Sequence, residues 1–251
     1  MKIIREFPVE GFCVTEFDCL DSTNNYLKNR AKENAPDGTA VIAVYQTAGK
    51  GRLGRSFFSP MNGLYISVLL RRNIPLALAP LLTPMTAVAV CEALEDCGSD
   101  RAGIKWVNDI YIREKKVCGI LTETQISSNG LQLEYAVIGI GINISEPDGG
   151  FPEDIKDRAG AVFIGSDNDM RNKLITALLK KLRCRLEGFA ERDFAADYRE
   201  RSILIGREVE IISSGGSETA RVVGIDDECR LIVETDSGTK ALFCGEVSVK
   251  L

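Results

Sequence analysis

Apolar segments of strand length constrain the fold of this 251-residue chain more than any other feature of its sequence. Residues 40–46 (AVIAVYQ), 63–72 (GLYISVLLRR) and 133–144 (LEYAVIGIGINI) have the continuous apolar character of buried strands. Residues 170–191 instead place leucines at four-residue spacing, which is typical of a helix that packs against a core. Buried strands accompanied by core-facing helices indicate an α+β domain.

The pattern changes after Gly206. Short apolar segments follow there, separated by the turn sequences SGG, DDE and DSG. Short strands joined by tight turns are typical of a small β-barrel. We therefore expect two domains, residues 1–201 and residues 202–251.

Composition excludes several kinds of site. The chain has no histidine, so no triad, metal site or general base can use an imidazole. Its net charge of −5 argues against a domain devoted to nucleic acid, and its eight cysteines form no CxxC pair, which is typical of reduced cysteines in a cytosolic protein. We find neither a secretion signal nor an apolar run of the ~18 residues that cross a membrane, and we expect a cytoplasmic protein.

A glycine-rich loop carries the clearest local positive charge. The stretch TAGKGRLGRSFFSP, residues 47–60, holds Lys50, Arg52 and Arg55 among three glycines. It is either a solvated surface loop or a loop that becomes ordered around a phosphate or carboxylate, which these cations can bind through charge-assisted hydrogen bonds. Neither of the standard nucleotide fingerprints, GxGxxG or the P-loop, is present.

Polar residues interrupt the segment 104–125, which otherwise predicts two strands joined by a charged turn at residues 113–116. If the first strand alternates regularly, Asn108 and Asp109 face opposite sides. Either they lie at a strand end in water, or they meet a cation or a Mg²⁺ ion carried on substrate phosphates. Alternation also predicts that one of Lys115 and Lys116 points inward, unless both are solvated turn residues.

Two further segments each allow two interpretations. Ser22, Thr23 and Asn24 offer hydroxyls and an amide to a neutral polar ligand, but such residues also suit the N-terminus of the helix predicted after them. Gly139 and Gly141 in GIGIN lack the rest of a nucleotide motif and favour close backbone packing within a sheet.

The order of these segments resembles the biotin–protein ligase family. The resemblance rests on DSTNNYL, YQTAGKGRLGRSFFSPMNGLYISVLL, KWVNDIYIREKKVCGILTE, IGIGINI and the terminal GEVSV, and it spans residues 17–250. It implies a mixed-sheet catalytic domain related to class II tRNA synthetases, followed by an SH3-like β-barrel. It also implies an enzyme that forms biotinyl-5′-AMP from biotin and ATP with Mg²⁺, without a tightly bound cofactor, and transfers biotin to a carrier lysine.

The resemblance also assigns roles by position. Arg52 and Lys116 would be catalytic, because cations lower the repulsion between the biotin carboxylate and the α-phosphate of ATP. Asp109 would meet the Mg²⁺ of the nucleotide. The implied biotin-binding residues are Ser22, Thr23, Asn24, Gln46, Lys50, Gly51, Arg52 and Lys116, and the implied nucleotide-binding residues are Arg52, Arg55, Asn108, Asp109, Lys116, Asn143 and Glu246.

Departures from the family pattern and the expected partners complete the interpretation. Lys50, Phe57, Val107 and Lys250 stand where the family commonly has Arg, Trp, Pro and Arg. The expected partner is a biotin carboxyl carrier domain of a carboxylase. Because the STN motif begins at residue 22, the resemblance implies no winged helix-turn-helix, hence no operator DNA; we expect no membrane partner either.

Three points stay open. The resemblance allows a monomer or a homodimer. A lipoate–protein ligase of the same fold is one alternative function, and a non-catalytic regulator that binds biotinyl-adenylate is another. The glycine-rich loop is expected to close over the adenylate and protect it from water.

Overall fold

The computed structural model describes residues 1–165, 168–213, 216–243 and 246–249. These residues form an eight-stranded mixed sheet and a separate five-stranded antiparallel sheet. The first sheet has the order β1 (Ile3–Val9), β2 (Phe12–Leu20), β3 (Thr39–Gln46), β4 (Gly63–Leu70), β8 (Leu133–Asn143), β7 (Lys115–Ile126), β6 (Asp109–Ile112) and β5 (Gly103–Lys105). The second has the order β12 (Gly238–Leu242), β11 (Leu231–Thr235), β10 (Gly216–Ile225), β9 (Glu208–Ser213) and β13 (Glu246–Val249).

Helices cover both faces of the first sheet. Helix α1 (Thr23–Lys32) packs on one face, against β3, β4 and β8, and α2 (Leu82–Asp96) packs on the other, against β6 and β7. Helices α3 (Asn168–Glu187) and α4 (Phe194–Glu200) pack against α2. The predicted fold class, a mixed-sheet α+β domain of the class II tRNA synthetase type with a C-terminal SH3-like domain, is confirmed.

The strands predicted from apolar segments are β3, β4 and β8, which lie side by side in antiparallel pairs. The hairpin of β1 and β2 is an addition that the apolar pattern does not predict. Strand β1 forms an exposed edge of the sheet, so it lacks the apolar signature of a buried strand. The hairpin turns at Glu10 and Gly11, with φ of 49° and 81°.

The prediction of two strands over residues 104–125 is wrong. Three strands, β5, β6 and β7, occupy this segment, and residues 106–108 form a turn between β5 and β6. Regular alternation therefore fails at Asn108, and Lys105 pairs across the hairpin with Asp109. Contacts with distant elements hold the turn: the Tyr198 hydroxyl donates to Val107 O at 3.0 Å, and Trp106 Nε1 donates to Cys229 O at 3.0 Å.

Helix α2 contains the apolar stretch that comes nearest to a membrane span. The helical residues Leu76–Asp96 are long and apolar enough by length and composition to cross a membrane, contrary to the expectation from sequence, but most of this stretch is buried inside the fold. Helix α2 begins at Leu82 and holds Pro84 in its first turn, where proline is tolerated.

The connection to the second sheet pairs with the edge of the first. Ile104 N donates to Arg201 O at 2.7 Å, and Ile203 N donates to Ile104 O at 3.0 Å. The predicted domain boundary between residues 201 and 202 lies within this pairing and stays a prediction. The seven cysteines in the described residues are all free thiols; Cys244 lies outside those residues.

Candidate active site

A pocket opens on the first sheet beside the N-terminus of α1. Strands β7 and β8 form its floor, and the start of α1, the end of β3 and the loop 47–60 form its walls. The pocket includes every predicted biotin-binding residue except Arg52 and Lys116. Its lining residues are Ser22, Thr23, Asn24, Gln46, Lys50, Gly51, Phe57, Tyr65, Asn108, Gly119, Ile120, Leu121, Gly139, Ile140 and Gly141.

The first wall is a hydrogen-bonded set of polar side chains. Ser22 caps α1, as its position predicts, by accepting from Asn25 N. Gln46 Oε1 accepts from Thr23 N at 2.8 Å, and its Nε2 donates to Ser59 Oγ at 3.0 Å. Ser22, Thr23 and Gln46 thus serve local structure and still line the pocket, so the helix-cap and ligand-binding interpretations of this motif are compatible.

Asn24 forms the deepest polar contact of the pocket. Its amide is buried; Nδ2 donates to Glu123 Oε2 at 2.9 Å and to Leu121 O at 3.2 Å, while Oδ1 accepts from Ser67 Oγ at 2.6 Å. A Cβ atom on Gly139 would lie 2.1 Å from Asn24 Oδ1, so only glycine lets the amide reach this depth.

Glycines also make room for an aromatic ring on the floor. A Cβ atom on Gly141 would lie 2.6 Å from the ring of Phe57, and one on Gly119 would lie 3.0 Å from it. With Phe57 packed there, the remaining cavity has a volume of about 40 Å³, which is room for a few water molecules. GIGIN lies within the sheet, as predicted, but the groups that approach its glycines closely are the side chains of Asn24 and Phe57 rather than neighbouring backbone.

The glycine-rich loop folds back on itself through backbone hydrogen bonds. Gly51 N donates to Arg55 O at 2.7 Å, and Phe57 N donates to Gly49 O at 2.8 Å. A Cβ atom on Gly49 would lie 2.4 Å from Phe57 O, so this crossing requires glycine. Leu53 has a φ of 55°, a left-handed conformation that is unusual for a branched side chain.

Two loop cations contact residues outside the loop. Lys50 Nζ donates to Asn25 Oδ1 at 2.6 Å on α1. Arg52 Nη1 donates to Asn108 Oδ1 at 3.1 Å, and Asn108 Nδ2 donates to Ile120 O at 2.9 Å. The loop therefore spans from α1 to the β5–β6 turn and brings positive charge over the pocket.

Lys116 is the inward-pointing lysine of the pair in β7. Its Nζ lies 2.7 Å from Asp109 Oδ1, whereas Lys115 Nζ donates on the other side to Asp157 O. Apart from this ion pair, Asp109 Oδ1 is buried and has no hydrogen-bond partner. Nearby Cys118 is excluded as a nucleophile, because burial raises the pKa of its thiol well above its usual value.

The residues fit a magnesium ion only as part of a nucleotide. Within the part of the chain that the structure describes, no three acidic or cysteine side chains come together in a way that could hold a metal. Asp109 is a single carboxylate already paired with Lys116. Such a donor set suits Mg²⁺ that arrives on phosphates and keeps several of its waters.

A second, larger cleft adjoins the first pocket and shares Gln46 and Phe57 with it. It has a volume of about 620 Å³. Besides Gln46, the predicted site residues Arg55, Lys116 and Asn143 line it, together with residues from the segment 151–159. Asn143 Nδ2 donates to Gly160 O at 2.9 Å, which fixes the chain just beyond that segment.

The structure thus brings the predicted residues into two adjoining cavities. Arg52 and Asp109 line neither cavity, but Arg52 contacts Asn108 of the first and Asp109 pairs with Lys116 of the second. The backbone of Glu246 pairs with Ile212 in the second sheet. The structure does not describe the side chain of Glu246, and Lys250 lies outside the described residues.

Sequence reasoning missed Ser59, Ser67 and Glu123, which complete the polar wall. A signal exists for Ser67 alone: it is the one small polar residue in the buried strand β4. Glu123 gives no such signal because it belongs to the polar run TETQ. Partial burial alone would raise the pKa of Glu123, but hydrogen bonds from Lys28 and Asn24 outweigh this effect, so the pKa is lowered.

Comparison with known proteins places this site in a class of adenylating ligases. Residues 16–143 match the biotin/lipoate A/B protein ligase family, and residues 204–250 match the biotin protein ligase C-terminal domain. The bifunctional ligase/repressor BirA of Bacillus subtilis is 34% identical over 237 residues, which cover 92% of this chain and 72% of that protein. The biotin–[acetyl-CoA-carboxylase] ligase of Mycobacterium tuberculosis is 32% identical over 239 residues, covering 90% and 85%.

A solved structure agrees with these relatives. The biotin protein ligase of Aquifex aeolicus, solved in complex with biotin and ATP, superposes with a TM-score of 0.77 at 33% identity, covering 94% of this chain and 98% of that one. The chain therefore belongs to the biotin/lipoate A/B protein ligase family and carries the C-terminal domain of biotin protein ligases.

Proposed function

We propose that the two adjoining cavities form one ligase site, in which biotin is activated by ATP and then transferred to a lysine of a biotin carboxyl carrier domain. The observation that carries this proposal is that the small polar pocket and the larger cleft share Phe57, while Lys116 lines the larger cleft and its Nζ lies beside Gly119 on the floor of the smaller pocket. A neutral ring system and a nucleotide can lie side by side once the Phe57 ring moves off the pocket floor, because the present cavity of about 40 Å³ is too small for the ring system.

The first half-reaction joins two anions. An oxygen of the biotin carboxylate attacks the α-phosphorus of ATP, and pyrophosphate leaves with its Mg²⁺. Lys116 and Arg52 lie where positive charge offsets the repulsion between carboxylate and phosphate, and this electrostatic term dominates such reactions. No general base is needed, because a carboxylic acid is already ionised near neutral pH.

The second half-reaction transfers the acyl group. The neutral amine of a carrier lysine attacks the acyl carbon of biotinyl-5′-AMP, an amide bond forms, and AMP leaves. The mixed anhydride reacts readily with water, so the loop 47–60 has to shield it until the carrier arrives. Arg55 and Asn143 lie in the cleft where the nucleotide would bind, and Glu246 would approach from the C-terminal domain.

Magnesium enters this scheme as part of the substrate ATP. Asp109 is the carboxylate nearest to the phosphate position, and we assign it a role in holding Lys116 and receiving the Mg²⁺ of the nucleotide. No resident cofactor is required by either half-reaction.

Two features favour biotin over lipoate. The pocket wall concentrates amide and hydroxyl groups at Thr23, Asn24 and Gln46, which suits the ureido group of biotin; the dithiolane of lipoate offers no such partners. The match to the biotin protein ligase C-terminal domain over residues 204–250 points the same way.

Partners and location form the finer part of the proposal. We propose a carboxylase carrier domain as the acceptor, a cytoplasmic location, and no operator binding, the last supported by the net charge of −5. A homodimer is a separate prediction that sedimentation analysis would test. A mobility shift on biotin-operator DNA that depends on biotinyl-adenylate would contradict the absence of operator binding.

The experiment that tests the function is labelling of a purified biotin carboxyl carrier domain, followed by intact mass spectrometry. With biotin, ATP and Mg²⁺ we expect the mass of one biotinyl group on the carrier, and none when ATP is omitted. Lipoate in place of biotin should give no product. If the chain binds biotinyl-adenylate but releases no pyrophosphate and labels no carrier, it is the non-catalytic regulator instead.

A further inference from the structure

A carboxylate that neither half-reaction uses, Glu123, lies directly behind the wall of the biotin pocket. It stands on β7 with its side chain 28% exposed. Its Oε2 accepts from Asn24 Nδ2 at 2.9 Å, and its Oε1 accepts from Lys28 Nζ at 2.5 Å. Lys28 lies one helical turn after Asn24 on α1, so Glu123 ties two points of this helix to the sheet.

The two ends of the Asn24 amide face groups with opposite demands. The Nδ2 end faces the Leu121 carbonyl oxygen and the Glu123 carboxylate. The carbonyl oxygen can only accept hydrogen bonds, and so can the carboxylate as long as Glu123 is ionised. The Oδ1 end faces the Ser67 hydroxyl at 2.6 Å. If the amide turned over, its oxygen would be buried against two acceptors, which costs the free energy of unsatisfied polar groups. An ionised Glu123 therefore selects one of the two orientations.

Neighbouring charges favour ionised Glu123. Burial opposes ionisation, but Lys28 on α1 and Lys50 on the glycine-rich loop both act to lower the pKa of Glu123, and the net shift is downward. Glu123 and Lys28 also line a surface groove, and the other charged residues of that groove are Asp21 and Lys32. The carboxylate is thus an acceptor at neutral pH.

We propose that Glu123, held by Lys28, is a positioning residue that fixes the amide of Asn24 and thereby the hydrogen-bonding pattern that the pocket presents to biotin. The effect reaches Thr23: Ser67 Oγ lies 2.7 Å from Thr23 Oγ1, and a hydroxyl has one proton to donate. With Asn24 Oδ1 receiving that proton, Thr23 Oγ1 has to donate to Ser67 Oγ across their short contact, which leaves the Thr23 oxygen as an acceptor toward the ligand. This inference rests on the proposed function of the pocket.

The first test is Glu123→Gln, which keeps the size of the side chain but can present either a donor or an acceptor to Asn24. We expect the KM for biotin, measured by biotin-dependent ATP–pyrophosphate exchange, to rise about tenfold, the loss expected for one charge-assisted hydrogen bond. The kcat and the KM for ATP should stay within about twofold. Glu134→Gln, an exposed position on β8, is the matched control.

The second test asks whether Glu123 acts through Asn24. In an Asn24→Ala background, Glu123→Gln should raise the KM for biotin no further, because the group that it positions is absent. Lys28→Met should raise the KM less than Glu123→Gln, with Lys32→Met as its control on the same helix. Circular dichroism and Tm of each variant report on folding.

The outcomes separate this inference from the proposed function. A wild-type protein that catalyses no exchange ends the proposed function. If the wild type is active and Glu123→Gln leaves the KM for biotin unchanged, the inference is overturned while the proposed function stands. The same conclusion follows if the effects of Glu123→Gln and Asn24→Ala on the KM for biotin are additive in the double variant.

Discussion

At the scale of single residues, the shape of the pocket depends on glycines that lack a side chain as much as on the polar and charged side chains around them. Three glycines on β7 and β8 leave the floor of the pocket without side chains, and Phe57 and Asn24 occupy the space that Cβ atoms would need. In the proposed function the chemistry depends on a different set, the cations Lys116 and Arg52. These two roles can be tested separately.

Gly141→Ala tests the floor. The new Cβ atom would lie 2.6 Å from the Phe57 ring, so the ring has to move. Such overpacking costs about 1–3 kcal/mol, and we expect the KM for biotin to rise roughly 5- to 100-fold. Gly224→Ala is the matched control, since a Cβ atom there meets nothing within 4 Å. A Gly141→Ala enzyme with the wild-type KM would show that the floor is not part of the biotin site.

Lys116→Ala tests the cations. We expect carrier labelling to fall by about two orders of magnitude or more, because a charge that stabilises the transition state is removed while the strand persists. Lys115→Ala is the control, since that lysine contacts Asp157 O on the other side of the strand. Labelling by Lys116→Ala at the wild-type rate would remove this residue from the mechanism; circular dichroism checks the fold.

At the scale of elements, the loop 47–60 connects helix α1 with the β5–β6 turn, and in the proposed function it covers the substrates. It is held by its own backbone bonds and by contacts of Lys50 and Arg52 with groups that a ligand can replace. Its closure over the adenylate stays a prediction. Because Lys50, Arg52 and Arg55 are also trypsin cleavage sites, protection of the loop from trypsin measures its closure.

Limited trypsin digestion measures this closure. We expect cleavage after Lys50, Arg52 or Arg55 in the free protein and strong protection when biotin and ATP are both present, because bound anions order the loop. Cleavage at the exposed Arg113 turn should be the same with and without ligands and serves as the internal reference. Equal cleavage of the loop in both conditions would count against closure.

A partly buried ion pair between Glu95 and Arg201 predicts how the stability of the fold depends on pH. Glu95 at the end of α2 pairs with Arg201 at 2.5 Å and accepts from Ala102 N at 3.0 Å. Burial alone would raise the pKa of Glu95, but the Arg201 hydrogen bonds outweigh it and the pKa is lowered. A lowered folded-state pKa gives stability that is present above the unfolded value of about 4.3 and is lost as the pH falls through the folded value.

Thermal unfolding from pH 7 to pH 3 tests this sign. Glu95→Gln should lower Tm at pH 7, and the difference from wild type should shrink as the pH falls below about 4.3. Glu200→Gln removes an exposed ion pair with Arg101 and should change Tm little at any pH. A constant Tm difference between Glu95→Gln and wild type across the range would contradict the linkage.

At the scale of the whole molecule, the second sheet supports the site through the β5–β6 turn. Trp106 is buried, and its indole donates to Cys229 O in the C-terminal sheet region at 3.0 Å. Tyr198 on α4 holds the same turn through Val107 O. Asn108, which contacts Arg52, follows immediately, so the C-terminal sheet is connected to the loop cations by consecutive contacts.

Trp106→Phe removes the indole donor from this connection. A buried carbonyl left without its partner costs about 1–3 kcal/mol, and we expect the free energy of unfolding in urea to fall by that amount. Because Trp106 is the single tryptophan of the chain, unfolding has to be followed by circular dichroism. Tyr111→Phe, an aromatic substitution on β6 that leaves this bond intact, is the control. An unchanged unfolding free energy would show that the two sheets do not depend on this contact.

Local pattern and motif order were enough to predict the central strands β3, β4 and β8, the main helices, the family and part of the lining of the two cavities. Such features depend on neighbours in sequence: an apolar run makes a strand buried, and Ser22 caps the helix that follows it. The tertiary structure alone decided that Lys116 pairs with Asp109 across a hairpin, that Phe57 rests on glycines of two other strands, and that Glu123 holds Asn24 from 99 positions away. Those contacts follow from strand register and helix packing between distant segments, which no local pattern encodes.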